Sequence, residues 1–268
     1  MIFYFTATGN SLYVAKKLAQ AQNESFELIS IPQEMDRSEA LVYEDDAIGV
    51  VYPIYGHMMP TLVKDFLKRA SFKTSYFYFV LTYGARHANA VELCMDAAKE
   101  CGITPNYIST LLMVDNWLPN FDMDKQRVLI PEKHIDEELE RICEEVSTRK
   151  IWIEPVNDVD RAAHEQFLSS GLSFDAKNLE HFLEIYAEEC TGCGTCAKVC
   201  PAGCIRINDE GVAVRHALEG DGCNACLACI HACPSGAIEL PLGEVNPQAR
   251  FRNEHITLQE LISANNRL

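Results

Sequence analysis

Twelve cysteines occur in 268 residues, and eight of them obey one spacing written twice. Cys190, Cys193, Cys196 and Cys200 stand as CxxCxxCxxxC before Pro201, and Cys223, Cys226, Cys229 and Cys233 repeat the run before Pro234. Three thiolates two residues apart let a short loop wrap one corner of an iron–sulfur cube. The fourth, ahead of the proline, belongs in this pattern to the other cube. The spacing therefore predicts two 4Fe-4S clusters on intertwined runs. Cys190, Cys193, Cys196 and Cys233 hold one, and Cys223, Cys226, Cys229 and Cys200 hold the other. Structural zinc also uses CxxC pairs, but it joins two cysteines to two distant ligands and has no use for a third at the next step. Disulfides fit less well, because the chain opens on the strand-like Ile2-Phe3-Tyr4-Phe5 without the basic start and apolar core of a signal peptide. A reducing, cytoplasmic compartment is expected.

At the other end of the chain, the short apolar strand is followed by Thr6-Ala7-Thr8-Gly9-Asn10-Ser11 and then by Leu12, Ala15, Leu18 and Ala19 at helical spacing. A strand, a hydroxyl-rich loop and a helix start aim backbone N–H groups and hydroxyls at one spot, where the helix dipole also favours an anion. A phosphate fits there without a lysine. A plain helix cap would account for the same residues. Neither GxxxxGK[ST] nor GxGxxG occurs, so the usual nucleotide and dinucleotide fingerprints are absent.

Three further loops follow apolar strands. Pro53-Ile54-Tyr55-Gly56 comes after 47–51, Thr82-Tyr83-Gly84 after 76–81, and Asn116-Trp117 after 107–114. In doubly wound sheets ligands bind at the carboxyl ends of strands, so these loops are candidates for one site. Tyr55, Tyr83 and Trp117 could stack on a ring, or could simply pack. With YFTATGNS at its head, this ordered set resembles the phosphate and ring-contacting loops of the flavodoxins, which implies bound FMN. The whole chain resembles the flavodoxin–ferredoxin fusion proteins, an electron-transfer family. It departs from them at Cys204, where a small non-ligand residue is usual, and at Arg86 and His87, where small residues are common.

Strand patterns near 2–6, 26–31, 47–51, 76–81 and 107–114 alternate with helical patterns near 10–22, 60–71, 87–101 and 132–150. That alternation predicts an α/β fold, a flavodoxin-like doubly wound five-stranded parallel sheet over residues 1–150. A linker with short helices (161–168 and 177–182) would span 151–186. A small α+β bacterial-type two-cluster ferredoxin domain would fill 187–240, and a tail with a capping box at Thr257-Leu258-Gln259-Glu260 would fill 241–268. Cys94, Cys101, Cys143 and Cys204 read as small packing residues. His164 and His181 read as surface residues.

The formal charge of −16 argues against nucleic acid and favours acidic docking to a protein electron donor and acceptor. No apolar run approaches the ~18 residues of a membrane span. An electron carrier is therefore the leading expectation. A flavin-dependent reductase of a small molecule, with Tyr55, His57, Tyr83 or His87 as proton donor, and a redox sensor are the alternatives.

Overall fold

Uninterrupted apolar runs suit strands covered on both faces of a parallel sheet, and the N-terminal part of the chain stacks its longest ones in that way. A computed structural model of the protein describes residues 1–22, 26–170, 182–215 and 222–267. It begins with β1 (Ile2–Tyr4), α1 (Asn10–Ala21), β2 (Leu28–Ser30), α2 (Ile31–Met35), β3 (Leu41–Glu44) and β4 (Ala47–Pro53). Next come α3 (Thr61–Arg69), β5 (Ala70–Lys73), β6 (Tyr76–Tyr83), α4 (Ala90–Glu100) and β7 (Tyr107–Leu112). Then follow α5 (Met123–Val128), a 3-10 turn (Ile130–Lys133), α6 (Ile135–Ser147), β8 (Trp152–Ile153) and α7 (Asp158–Ser169).

The main sheet runs β2-β1-β4-β6-β7-β8, and every neighbouring pair is parallel. Its first five members follow the order 2-1-3-4-5 when numbered among themselves, which is that of flavodoxin-like doubly wound sheets. The helix pairs α1 with α6 and α3 with α4 pack over it. The sheet gains a sixth, two-residue strand where the sequence suggested only an extended exit. Glu154, just beyond β8, explains the attachment. Its carboxylate accepts from Thr110 N and Thr110 Oγ1, both at 2.7 Å, and so fastens the segment to β7. A small parallel pair, β3 with β5, was not anticipated from the sequence.

β4 and β6 are held in register through one close approach. Gly49 faces Tyr78 across the pair, and a Cβ on Gly49 would lie 2.2 Å from the tyrosine ring. Tyr78 is fully buried, and its hydroxyl accepts from Gln22 Nε2 at 3.2 Å. The ring is thereby fixed where a side chain would have stood.

The C-terminal part contains β9 (Glu184–Ile185), α8 (Thr195–Lys198), β10 (Ile205–Ile207), β11 (Ala213–Arg215), α9 (Ala228–Ala232), β12 (Ile238–Glu239) and α10 (Leu258–Asn265). β9 pairs antiparallel with β12, and β10 with β11. β9 stands before the first cysteine run and β12 after the second, so this pairing closes the two runs on each other. The two parts do not keep separate cores. Val199, Cys226, Ala228, Ile256, Leu261 and Ala264 bury themselves with the apolar residues of the main sheet, while Val114, Leu118 and Met123 join the core around the cysteine runs.

The tail begins α10 with the expected capping box, Thr257 and Glu260 satisfying each other's backbone N–H groups. Helix α7 is longer than the expected 161–168, because Asn157 caps its start by accepting from Asp160 N at 3.0 Å. Of the expected helix over 177–182, residues 177–181 lie outside the described residues, as does His181, and Phe182 is not helical. Among the described residues no helix is long and apolar enough to cross a membrane. Cys94 and Cys143 are buried as expected, and Cys101 is half-buried.

Replacing Gly49 by Ala should cost about 1–3 kcal/mol or more through overpacking against Tyr78. Urea unfolding of the two proteins measures it, and an unchanged midpoint would mean that the ring can move aside.

Candidate cofactor sites

The loops leaving β1, β4, β6 and β7 meet at one end of the sheet and enclose a cavity of about 370 Å³. That volume lies within the ~300–1,000 Å³ usual for small-molecule sites. All the residues singled out for flavin line it except Gly9. Gly9 serves the loop differently. Its φ of 102° is a left-handed conformation, its N–H donates to Thr6 Oγ1 at 3.2 Å, and a Cβ there would press to 3.0 Å on the Cβ atoms of Asn253 and Ile256.

Local hydrogen bonds define what the hydroxyls can still do. Thr8 Oγ1 accepts from Asn116 Nδ2 at 2.8 Å, which leaves the Thr8 proton for another acceptor. Ser11 Oγ and Thr82 Oγ1 lie 2.9 Å apart and tie the loop to the end of β6. Asn10 Nδ2 donates to Val114 O at 3.1 Å. Gly84 allows the third loop to close in, since a Cβ on it would stand 2.3 Å from Asp115 Cα. Burial pushes the Asp115 carboxyl up from its ordinary value, against the pull of the Trp117 N–H that it accepts at 2.9 Å. Trp117 stacks on Phe182 with ring centroids 6.1 Å apart.

Among the described residues, two polar atoms in the cavity wall have no protein partner and fit a bound ligand. They are Tyr55 Oη and His57 Nδ1, both buried. Burial, then the thiols of Cys226 and Cys223, hold the Tyr55 hydroxyl well above its ordinary pKa. His57 is pushed down to about 4, first by burial and then by His164, so it is neutral at pH 7. His164 is not a surface residue. It is buried on α7, with its ring centroid 5.6 Å from that of His57. Arg86 lines the cavity, whereas His87 packs edge-on to Tyr83 at 5.0 Å.

The remaining wall comes from segments that no motif marked. Phe167 reaches the cavity from α7, which Arg161 anchors to Glu92 of α4 by hydrogen bonds of 2.7–3.1 Å. Ala225 and Leu227, between the cysteines of the second run, line it as well. Both hold a positive φ, 51° and 61°, which is uncommon for residues with a side chain. Nothing in their identity announces a cavity wall, and only the folding of the cysteine run brings them there.

The eight motif cysteines line two hollows. Cys190, Cys193, Cys196 and Cys233 line one; Cys200, Cys223, Cys226 and Cys229 line the other, together with Cys204 and Leu227. Cys193 is exposed, whereas Cys200, Cys226 and Cys229 are buried. Backbone N–H groups already point at the sulfurs, Ala213 N to Cys190 at 3.3 Å and Ala225 N to Cys223 at 3.4 Å. Burial, followed by the nearness of Cys200, Cys226 and Cys223, drives the Cys229 thiol well above its ordinary pKa. Such a hollow cannot hold four bare thiolates. A multiply charged iron core would resolve the repulsion, so the donor set fits an iron–sulfur cluster.

A hydrogen-bonded circuit joins the second cysteine run to the cavity loops. Asn116 carries it onward, its carbonyl oxygen lying 2.9 Å from His231 Nε2, and Phe251 N donates to His231 Nδ1 at 3.1 Å. The proton therefore sits on Nε2, and burial holds the ring neutral with a pKa of about 4. Asn253, two residues beyond Phe251, donates from its N–H to Thr8 O at 2.8 Å, and Thr8 is the residue that Asn116 holds. Asn265, with no exposed surface, donates from Nδ2 to Thr6 O at 2.9 Å and to Val199 O at 3.2 Å. Asn224 Oδ1, in the second run, accepts from Leu62 N at 3.2 Å and so caps α3 from another part of the chain.

Comparison with known proteins follows the same division. A flavodoxin domain model matches residues 1–108, and a 4Fe-4S dicluster domain model matches residues 189–238. The chain is thus a flavodoxin domain followed by an iron–sulfur domain, the arrangement of a flavodoxin–ferredoxin fusion, and this pairing defines an electron-transfer flavo-iron–sulfur protein. Among solved structures, a provisionally assigned flavoprotein from Bacteroides uniformis ATCC 8492 is 20% identical, with a TM-score of 0.34 over 43% of this chain and 90% of that one. The Trp repressor binding protein from Bacillus subtilis is 11% identical, with a TM-score of 0.37 over 56% of this chain and 97% of that one. No curated protein matches the chain.

Replacing Gly84 by Ala should push the Asp115 loop outward and weaken flavin binding about tenfold or more, equivalent to ~1.4 kcal/mol, without loss of iron. Flavin titration by fluorescence quenching, beside an iron assay, measures both.

Proposed function

We propose that the protein is an electron carrier with FMN in the cavity at the end of the sheet and two 4Fe-4S clusters in the cysteine hollows. It exchanges electrons with protein partners in a reducing compartment. Clusters pass single electrons while FMN holds one or two, so the combination suits conversion between one-electron and two-electron partners. One observation carries the reading. Leu227 lines both the flavin cavity and the hollow of Cys200, Cys223, Cys226 and Cys229, so the two sites have a common wall. Tyr55 lines the flavin cavity as well, and its hydroxyl has no protein partner among the described residues.

The choice of FMN rests on the N-terminal loop. The start of α1 and the free proton of Thr8 offer donors to a phosphate monoester, while no fingerprint for a dinucleotide is present. The chain's own residues bind and orient. Asn116 fixes the rotamer of Thr8, Gly84 admits the third loop, and Phe167 and Trp117 add aromatic surface to the cavity wall. The net charge of −16 suits basic partner surfaces.

Protein purified without oxygen should carry about eight irons and one FMN per chain. A well-folded colourless preparation would end the proposal. Saturable two-electron reduction of one small oxidant by the reduced protein would replace the carrier with a flavin reductase. Thr8→Ala should weaken FMN by about 1.5–3 kcal/mol, the worth of a hydrogen bond to a charged acceptor, measured by titration of the apoprotein.

The two cysteine runs should differ in their hold on flavin. Cys226→Ser removes a ligand from the loop that walls the cavity and should lower flavin affinity along with iron content. Cys193→Ser, on the exposed side of the other hollow, should cost iron and leave flavin bound. Equal flavin loss in both would mean that the common wall does not depend on its own cluster.

A further inference from the structure

The doubled cysteine run contains one position where its halves differ in a chemically meaningful way. Laid over each other, Cys200-Pro201-Ala202-Gly203-Cys204-Ile205 and Cys233-Pro234-Ser235-Gly236-Ala237-Ile238 place Cys204 on Ala237. The small-residue reading of Cys204 is satisfied as far as packing goes, since it is 5% exposed. Its surroundings say more. Cys204 lines the same hollow as Cys200, Cys223, Cys226 and Cys229. Its backbone N–H donates to Cys200 Sγ at 3.3 Å, and its side chain packs in one buried cluster with Cys200. In the other half Ala237 has no polar side chain to offer, and among the described residues Cys233 Sγ meets Ser235 Oγ, an exposed residue, at the longer distance of 3.7 Å.

We propose that Cys204 is a positioning residue that raises the reduction potential of the cluster held by Cys200, Cys223, Cys226 and Cys229, by directing its N–H and S–H at the Cys200 sulfur. The inference rests on the reading that these hollows hold 4Fe-4S clusters. Reduction adds one negative charge to a cluster, and a hydrogen aimed at a ligand sulfur stabilises that charge more than it stabilises the oxidised form. The contribution grows where water is excluded, and here Cys204, Cys226 and Cys229 are all buried. Hydrogen bonds to sulfur, burial and net charge are the levers a protein has over such a potential. Cys204 supplies the first of these to one hollow and not to its twin. The tuned cluster is also the one that shares Leu227 with the flavin cavity, so the effect falls on the neighbour of the flavin.

The test uses the full chain, prepared without oxygen, as wild type, Cys204→Ala and Cys204→Ser. Iron and sulfide are counted first, and the midpoint of each cluster is then followed by redox titration with low-temperature electron paramagnetic resonance. In Cys204→Ala, which copies the other half of the repeat, the iron count should match wild type, one midpoint should fall and the other should stay. Cys204→Ser keeps a donor on a shorter arm, and its midpoint should fall between the two. Unmoved midpoints, an equal shift of both clusters, or loss of about four irons from either variant would overturn the proposal, the last by making Cys204 a ligand. Wild-type protein without iron–sulfur clusters would sink the underlying reading as well, whereas loaded wild type with unmoved midpoints would sink only the tuning role.

Discussion

Buried polar groups must find partners inside the protein, and in this chain the partners of the hydroxyl-rich N-terminal loop come from the far end of the sequence. Thr6 O, Thr8 O and Asn10 Oδ1 all accept from residues of the tail, Asn265 and Asn253. Each unmet group of that kind would cost about 1–3 kcal/mol, so the loop and the tail form together. Asn265 extends the tie to Val199, directly before Cys200, and His231 extends it from Asn116 to Phe251. The geometry of the cavity at the end of the sheet and that of the cysteine runs are therefore fixed by one set of hydrogen bonds.

Packing reinforces this. α10 lies against α2 and α8, Lys16 pairs with Glu260 at 2.5 Å, and Arg267 pairs with Asp36 at 2.5 Å. Ser30 also donates to the carbonyl of Ala264. The exposed pairs contribute little individually. The apolar contacts of Ile256, Leu261 and Ala264 with the main core carry more of the attachment. Held in this way, Ala225 and Leu227 keep their left-handed backbone against the cavity, an arrangement that persists only where its surroundings over-determine it.

Much of this was legible in the sequence because it is local. The cysteine runs, the hydroxyl-rich loop, the five apolar strand runs and the Thr257 capping box are each written in a few consecutive residues. What escaped depends on contacts across long separations. His164 looks like any polar residue of an amphipathic helix, yet it is buried against His57. Phe167, Ala225 and Leu227 become cavity wall only because α7 is pinned by Arg161 and because the second cysteine run folds back on the sheet. β8 has only two residues, and it joins the sheet through the carboxylate of Glu154, a side-chain effect that periodicity does not register. Asn224 capping α3 from outside is of the same kind.

The tail contact at Gly9 has a consequence for modularity. A polypeptide cut where the parallel sheet ends would keep every residue of the hydroxyl-rich loop and still lack the Asn253 and Ile256 side chains that rest on it. Such a fragment would resemble a cup whose base was moulded in another piece. Neither redox unit of this protein can be transplanted by following its motif alone.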